Sequence, residues 1–222
     1  MALDSDHIEL FVTTDFDAVI FDMDGVIFDS ETCVVESWMV VADKYNIEGI
    51  EEACNECLGL NKDATRVKML ERYGEDFPYD EFKREASKFY HDKYDGGRLP
   101  MKPGIEELLK FLKCNDKKVA VASSTRREVV EAEIRDAGLL KYFDVLVCGD
   151  MVTKSKPEPE IFLKACELLG VNPSRSFGIE DSYNGIRSAS SAGLRTIMVP
   201  DRIGPNGEMK KLTEIIVSSL VE

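Results

Sequence analysis

Short apolar, β-branched runs recur along the chain: AVIF at 18–21, VAVA at 119–122, VLV at 145–147, FGI at 177–179 and TIMV at 196–199. Each is closed by polar residues, Gly or Pro, and most lead into a stretch of helical spacing. Ile105, Leu108, Leu109 and Leu112 follow the i, i+3, i+4, i+7 pattern after Pro103 and Gly104. Glu160 through Leu169, opened by Pro157, is a second such stretch, and Ser182 through Ala192, ending at Gly193, is a third. Strands alternating with helices predict βαβ crossovers and an α/β fold, a doubly wound parallel sheet covered on both faces.

From about Glu31 to Gly97 the alternation stops. Val34, Trp38, Val41 and Tyr45, then Val67, Leu70 and Tyr73, then Phe82 and Phe89 keep helical spacing, and no strand intervenes. The pattern predicts a helical insert at 29–98 in a sheet domain made of 1–28 and 99–222. Phe28-Asp29-Ser30 and the stretch from Gly96 to Gly104 have linker character, which suits hinge motion. Ile8 to Val12 reads as either a flexible extension or an edge strand.

Composition narrows the partners. The 222 residues are 44% hydrophobic and 32% charged, ordinary for a globular chain. With 28 Lys+Arg against 42 Asp+Glu, the net charge of -14 repels nucleic acid and anionic membrane surfaces. Any anion site must therefore be built locally, from cations, a metal or backbone N–H groups. Acidic residues near the start, the lack of a long apolar window and six scattered cysteines suggest a cytoplasmic chain with reduced thiols, a monomer or weak dimer. Cys54 and Cys57 form a C-x-x-C, but on helical spacing and with no companion pair of ligands they read as two thiols on a helix.

In open parallel sheets ligands bind beyond the carboxyl ends of the strands. The residues there are Asp22-Met23-Asp24-Gly25, Ser123-Ser124-Thr125, Lys154-Ser155-Lys156-Pro157 and Glu180-Asp181. Asp22 approaching a phosphate meets like-charge repulsion, which Mg²⁺ held by Asp22, Asp181 and Glu180 would offset, with Lys156 as a second cation. Ser123 and the backbone N–H groups near Ser124 can bond the phosphoryl oxygens, and Asp24 can protonate a leaving alcohol and then deprotonate water. Each element also has a plainer reading: turn-capping aspartates, a Ser/Thr cap on the helix near Arg126, a solvated lysine, acids at a helix N-terminus. Their joint order after successive strands favours one active site for a small-molecule phosphate ester.

At these residues the sequence resembles the haloacid dehalogenase superfamily, in the branch of β-phosphoglucomutases and small-sugar phosphatases. DMDGVIFDSE at 22–31, VASST at 121–125, KSKPEPEIF at 154–162 and GIEDSYNGIRSASSAG at 178–193 carry the resemblance. It implies a Rossmann-like core with a helical cap that selects substrate. It also implies Asp22 as nucleophile, Asp24 as general acid/base, Ser123 and Lys156 on the phosphoryl group, and Mg²⁺ held by Asp22, the Asp24 carbonyl, Glu180 and Asp181. The presence of Asp24 argues against dehalogenation. Val34 stands where β-phosphoglucomutases place a histidine, which argues against a mutase. A Schiff-base lysine of the phosphonate-hydrolase kind would have to come from Lys44, Lys62 or Lys68, none marked as desolvated. A sugar or polyol phosphatase is the leading expectation, with a phosphomutase and a non-catalytic phosphometabolite-binding protein as alternatives. In the cap, Leu58 to Lys62 is the expected substrate loop, Trp38 reads as core filler, Lys62 and Arg66 as contacts to a polar or anionic second group of the substrate or as solvated helix charges, and His91 as structural.

Overall fold

The structure, a computed structural model, describes residues 15–57 and 62–221. The expectations for Ile8–Val12 and for Leu58–Asn61 lie outside the described residues. The chain divides into two compact units: one holds the chain up to Asp29 and from Pro100 onward, the other Ser30–Leu99.

The first unit carries a wholly parallel sheet of β1 (Ala18–Phe21), β2 (Lys118–Ser123), β3 (Val145–Cys148), β4 (Ser176–Glu180), β5 (Arg195–Met198) and β6 (Ile215–Ile216). Their order is β3-β2-β1-β4-β5-β6, so the chain winds outward in one direction, returns past β1 and winds outward in the other. Because such crossovers are right-handed, reversal of direction puts helices on both faces, and the switch point falls between β1 and β4. Strands covered on both faces read as continuous apolar runs, which is why five were legible in sequence. The two-residue β6 was not; it is too short to show a period.

The second unit is helical throughout its described residues: α1 (Ser30–Tyr45), α2 (Ile50–Cys57), α3 (Lys62–Tyr73) and α4 (Tyr79–Tyr94). Trp38, Tyr79, Phe82, Met69, Cys54 and Cys57 share its core. Trp38 meets Phe82 edge to face at 5.6 Å, so it fills core. Both C-x-x-C thiols lie on α2, buried and in no disulfide. Val67 departs from the expected stripe, being 55% exposed, and α3 buries Met69 instead. Arg66 pairs with Asp80 at 3.6 Å on an exposed surface, and exposed His91 reaches Asp95 at 3.0 Å.

Helices α5 (Ile105–Cys114), α6 (Arg127–Asp136), α7 (Glu160–Leu169), α8 (Tyr183–Ser191) and α9 (Met209–Leu212) belong to the sheet unit. Helix α7 buries Ile161, Phe162, Ala165, Cys166 and Leu169 against Ala18, Ile20, Ala120, Ala122 and Val147. Those strand residues are alternate positions, as the two-residue period requires. Full burial of a side chain such as Phe162 contributes about 1.5–3 kcal/mol. The segments on either side of the helical unit pair with each other: Asp29 N donates to Pro100 O at 2.9 Å and Lys102 N to Ile27 O at 2.8 Å. No helix among the described residues is long and apolar enough to cross a membrane.

Candidate active site

Register places the chemistry. Phe21 pairs with Val121 on one side and Ile179 on the other, so the next residues, Asp22, Ala122 and Glu180, stand level across the three central strands. The Lys156 ammonium closes over them, donating to Asp22 Oδ1 at 2.5 Å, Glu180 Oε1 at 2.6 Å and Ala122 O at 2.9 Å. Its side chain is 8% exposed, so it is not a solvated loop charge. It is held by residues from 22 to 180 in the chain that only the parallel sheet brings together.

Around this bridge each neighbouring group has a defined role. Ser182 donates its hydroxyl to Glu180 Oε2 at 3.1 Å and accepts from Gly185 N at 3.1 Å, capping α8 while fixing the carboxylate. Gly185 is required by space, since a Cβ there would lie 1.9 Å from Glu180 Cδ. Gly25, at φ +79°, approaches Asp181 so closely that a Cβ would sit 2.4 Å from its Oδ2. Asp24, half-buried, accepts from the Thr125 hydroxyl at 3.2 Å. Ser123 is fully buried and its Oγ accepts from Thr125 N at 3.1 Å, which leaves its own proton available to an acceptor; Ser124 beside it is exposed. The hydroxyl cluster does not cap α6: Arg126 is the residue before that helix, and the Arg127 N–H is taken by Asp150 at 3.0 Å.

The electrostatics are unbalanced. Asp22, Glu180 and Asp181 are buried, and oxygens of all three lie within 4.8 Å of one another. Burial, then the Glu180 carboxylate, pushes the Asp22 carboxyl up to about 8 against the pull of Lys156. Burial alone would lower Lys156, but the Asp22 and Glu180 carboxylates outweigh it and hold the ammonium above the ordinary lysine range. Three clustered acids around one ammonium leave negative charge uncompensated in a desolvated place. The donor set is oxygen only, which suits a hard divalent cation. Glu180 accepts from Lys156 and Ser182 while remaining within that group of three carboxylates.

A family model described as haloacid dehalogenase-like hydrolase matches residues 19–199, most of the chain. The chain belongs to the haloacid dehalogenase-like hydrolases. It is 45% identical over 100 residues to a phosphorylated carbohydrates phosphatase of Thermotoga maritima, covering 45% of this chain and 46% of that protein. A CbbY protein of Cereibacter sphaeroides is 40% identical over 107 residues, covering 47% of this chain and 46% of that protein. The chain thus spans about half the length of the curated relatives it matches. Among solved structures, CbbY from Rhodobacter sphaeroides in complex with phosphate superposes with a TM-score of 0.70 at 27% identity, over 93% of this chain and 96% of that one. The haloacid dehalogenase-like assignment agrees with the strand order and with the interrupted alternation of the sequence.

Sequence reasoning singled out Asp22, Asp24, Ser123, Lys156, Glu180 and Asp181 but missed three supports. Thr125 bonds Asp24, Ser182 holds Glu180, and the Ala122 carbonyl takes one proton of Lys156. Thr125 and Ser182 sit inside the quoted motifs, so position after a strand was a usable signal; a backbone carbonyl leaves none.

Proposed function

We propose that this chain hydrolyses phosphate monoesters of small metabolites, sugar or polyol phosphates foremost, through a phosphorylated Asp22. The observation that carries the reading is the pair of aspartates two residues apart, in unlike settings: Asp22 buried on Lys156, Asp24 half-buried on a hydroxyl. One oxygen of Asp22 attacks phosphorus while the ester P–O bond breaks, and Asp24 gives the leaving alkoxide its proton. Water then attacks the aspartyl phosphate as Asp24 takes the proton back, releasing inorganic phosphate and restoring Asp22. Ser123, the backbone near Ser124 and Lys156 bind the phosphoryl oxygens, where charge lies as the bond breaks.

Mg²⁺ fits the oxygen donors, with Asp22, the Asp24 carbonyl, Glu180 and Asp181 to hold it. When bound it offsets the repulsion between the carboxylates and the incoming phosphate. In this reading the helical unit, residues 29–98, selects the substrate, and the protein works in the cytoplasm as a monomer or weak dimer. Val34 packs against the helical core, leaving no base at the position a mutase would use, so water is the favoured acceptor.

Phosphate release from sugar, polyol and nucleotide monophosphates, with and without Mg²⁺, tests the proposal. Metal-dependent release that Asp22→Asn and Asp24→Asn both abolish is expected. Isomerisation of a hexose phosphate without release would move the chain to the mutases, and inactivity toward both would make it a binding protein.

A further inference from the structure

The helical unit holds a cation that the hydrolase reading does not use. Lys83, on α4, is partly buried, and its Nζ lies 5.0 Å over the ring of Trp38. The other lysines whose side chains are described there sit differently: Lys44 pairs with Glu85, Lys68 with Glu56, Lys88 with Asp92 and Lys93 with Glu36. Among the described residues no carboxylate pairs with Lys83. The titratable groups facing it are the thiols of Cys54 and Cys57, and burial pushes the Cys57 thiol up, away from the charged form. Burial likewise holds the Lys83 ammonium below the ordinary lysine range.

Two further donors in the same core are unspent. Tyr79 stands one turn before Lys83 on the same face of α4, 2% exposed, and its hydroxyl has no hydrogen-bond partner. Trp38, 3% exposed, has an indole N–H in the same condition. An unsatisfied buried donor costs about 1–3 kcal/mol, so the Tyr79 hydroxyl and the Trp38 indole call for an acceptor, and the partly buried Lys83 ammonium stands over the same indole ring. Ammonium, phenol and indole share one need, an oxygen with lone pairs and preferably negative charge.

We propose that Lys83, with Tyr79 and Trp38, forms an oxyanion site of the helical unit, one that takes a carboxylate or phosphate group of a small ligand. The site stands on the helical unit alone and does not depend on the hydrolase reading. It also answers the composition: in a chain of charge -14, an anion needs a locally uncompensated cation, and Lys83 is one.

Trp38 is the single tryptophan of the chain, so its fluorescence reports the site directly. The full chain in EDTA would be titrated with inorganic phosphate and with malonate against sodium chloride of equal ionic strength. A saturable change is expected for one or both anions. It should weaken by roughly tenfold or more in Lys83→Met, the loss of a charge-assisted bond, survive in Lys83→Arg, and persist in Asp22→Asn. Lys83→Met should fold with a melting midpoint at or above that of the unmodified chain, because it removes a partly buried charge that no carboxylate offsets among the described residues. No saturable change in the unmodified chain, an equal change in Lys83→Met, or a change lost in Asp22→Asn would overturn the proposal. Unfolding of both Lys83→Met and Lys83→Arg would do so too, by making Lys83 a structural residue.

Discussion

The Lys156 ammonium is the cation on which Asp22 and Glu180 depend, at 2.5 and 2.6 Å. Replacing it with Met removes one partner of a buried cluster and leaves the acids facing each other, a situation that costs about 3–5 kcal/mol in comparable pairs. Lys156→Met is therefore expected to lower the urea midpoint strongly, and excess Mg²⁺ should recover part of the loss by supplying the missing charge. A variant as stable as the unmodified chain in EDTA would show that the carboxylates do not need the lysine. These side chains were legible because each stands at or beyond the carboxyl end of a strand and each is of a type phosphate chemistry uses. Lys83 was not, since sequence spacing identifies a lysine on a helix without showing whether an acid meets it.

Helix α8 reaches the site through its first turn, and its fit is tight there. A Cβ at Gly185 would overlap the Glu180 carboxylate, 1.9 Å from Cδ and 2.0 Å from each oxygen. Gly185→Ala must push Glu180 off Lys156 or lift α8 from β4, and overpacking of this kind costs about 1–3 kcal/mol. Urea denaturation should show that loss, and Mg²⁺ should stabilise the variant less than it stabilises the unmodified chain. An unchanged midpoint would mean that α8 shifts freely. The glycine was visible in sequence within SYNGI, but its reason was not: what excludes a side chain is a carboxylate five residues back, aimed inward by Lys156 and Ser182. The same limit shows elsewhere. Runs such as AVIF and VAVA announced their strands because both faces are buried, while the two-residue β6 and the exposed Val67 fall below what periodicity resolves.

Across the whole molecule two sets of acids pull the pH dependence in opposite directions. Hydrogen bonds from cationic partners lower Asp15 and Asp17 (Arg175), Glu36 (Lys93), Glu85 (Lys44), Glu208 (Arg187) and Glu214 (Arg195), and backbone N–H groups lower Glu160. A lowered carboxyl contributes stability that is complete above its unfolded value, about 4, and lost as pH falls through its folded value. Most of these pairs are exposed, so each contributes little and the acid limb is shallow. Asp22 has the opposite sign. Its carboxyl stands at about 8 when folded, so between roughly pH 4 and 8 the native state keeps a proton that the unfolded chain has released, and stability falls as pH rises through that window. With only two histidines in the chain, few other side chains titrate there. Free of metal, the protein should therefore be most stable near pH 5 and lose stability steadily toward pH 8, instead of holding a plateau. Thermal midpoints in EDTA at half-unit pH steps would show the slope, and Asp22→Asn should flatten it above pH 5 while leaving the acid limb in place. A flat profile in the unmodified chain would mean that Asp22 is already ionised in the folded state, with Lys156 alone sufficient to hold it. The slope would then have to reappear in Lys156→Met, where that compensation is gone.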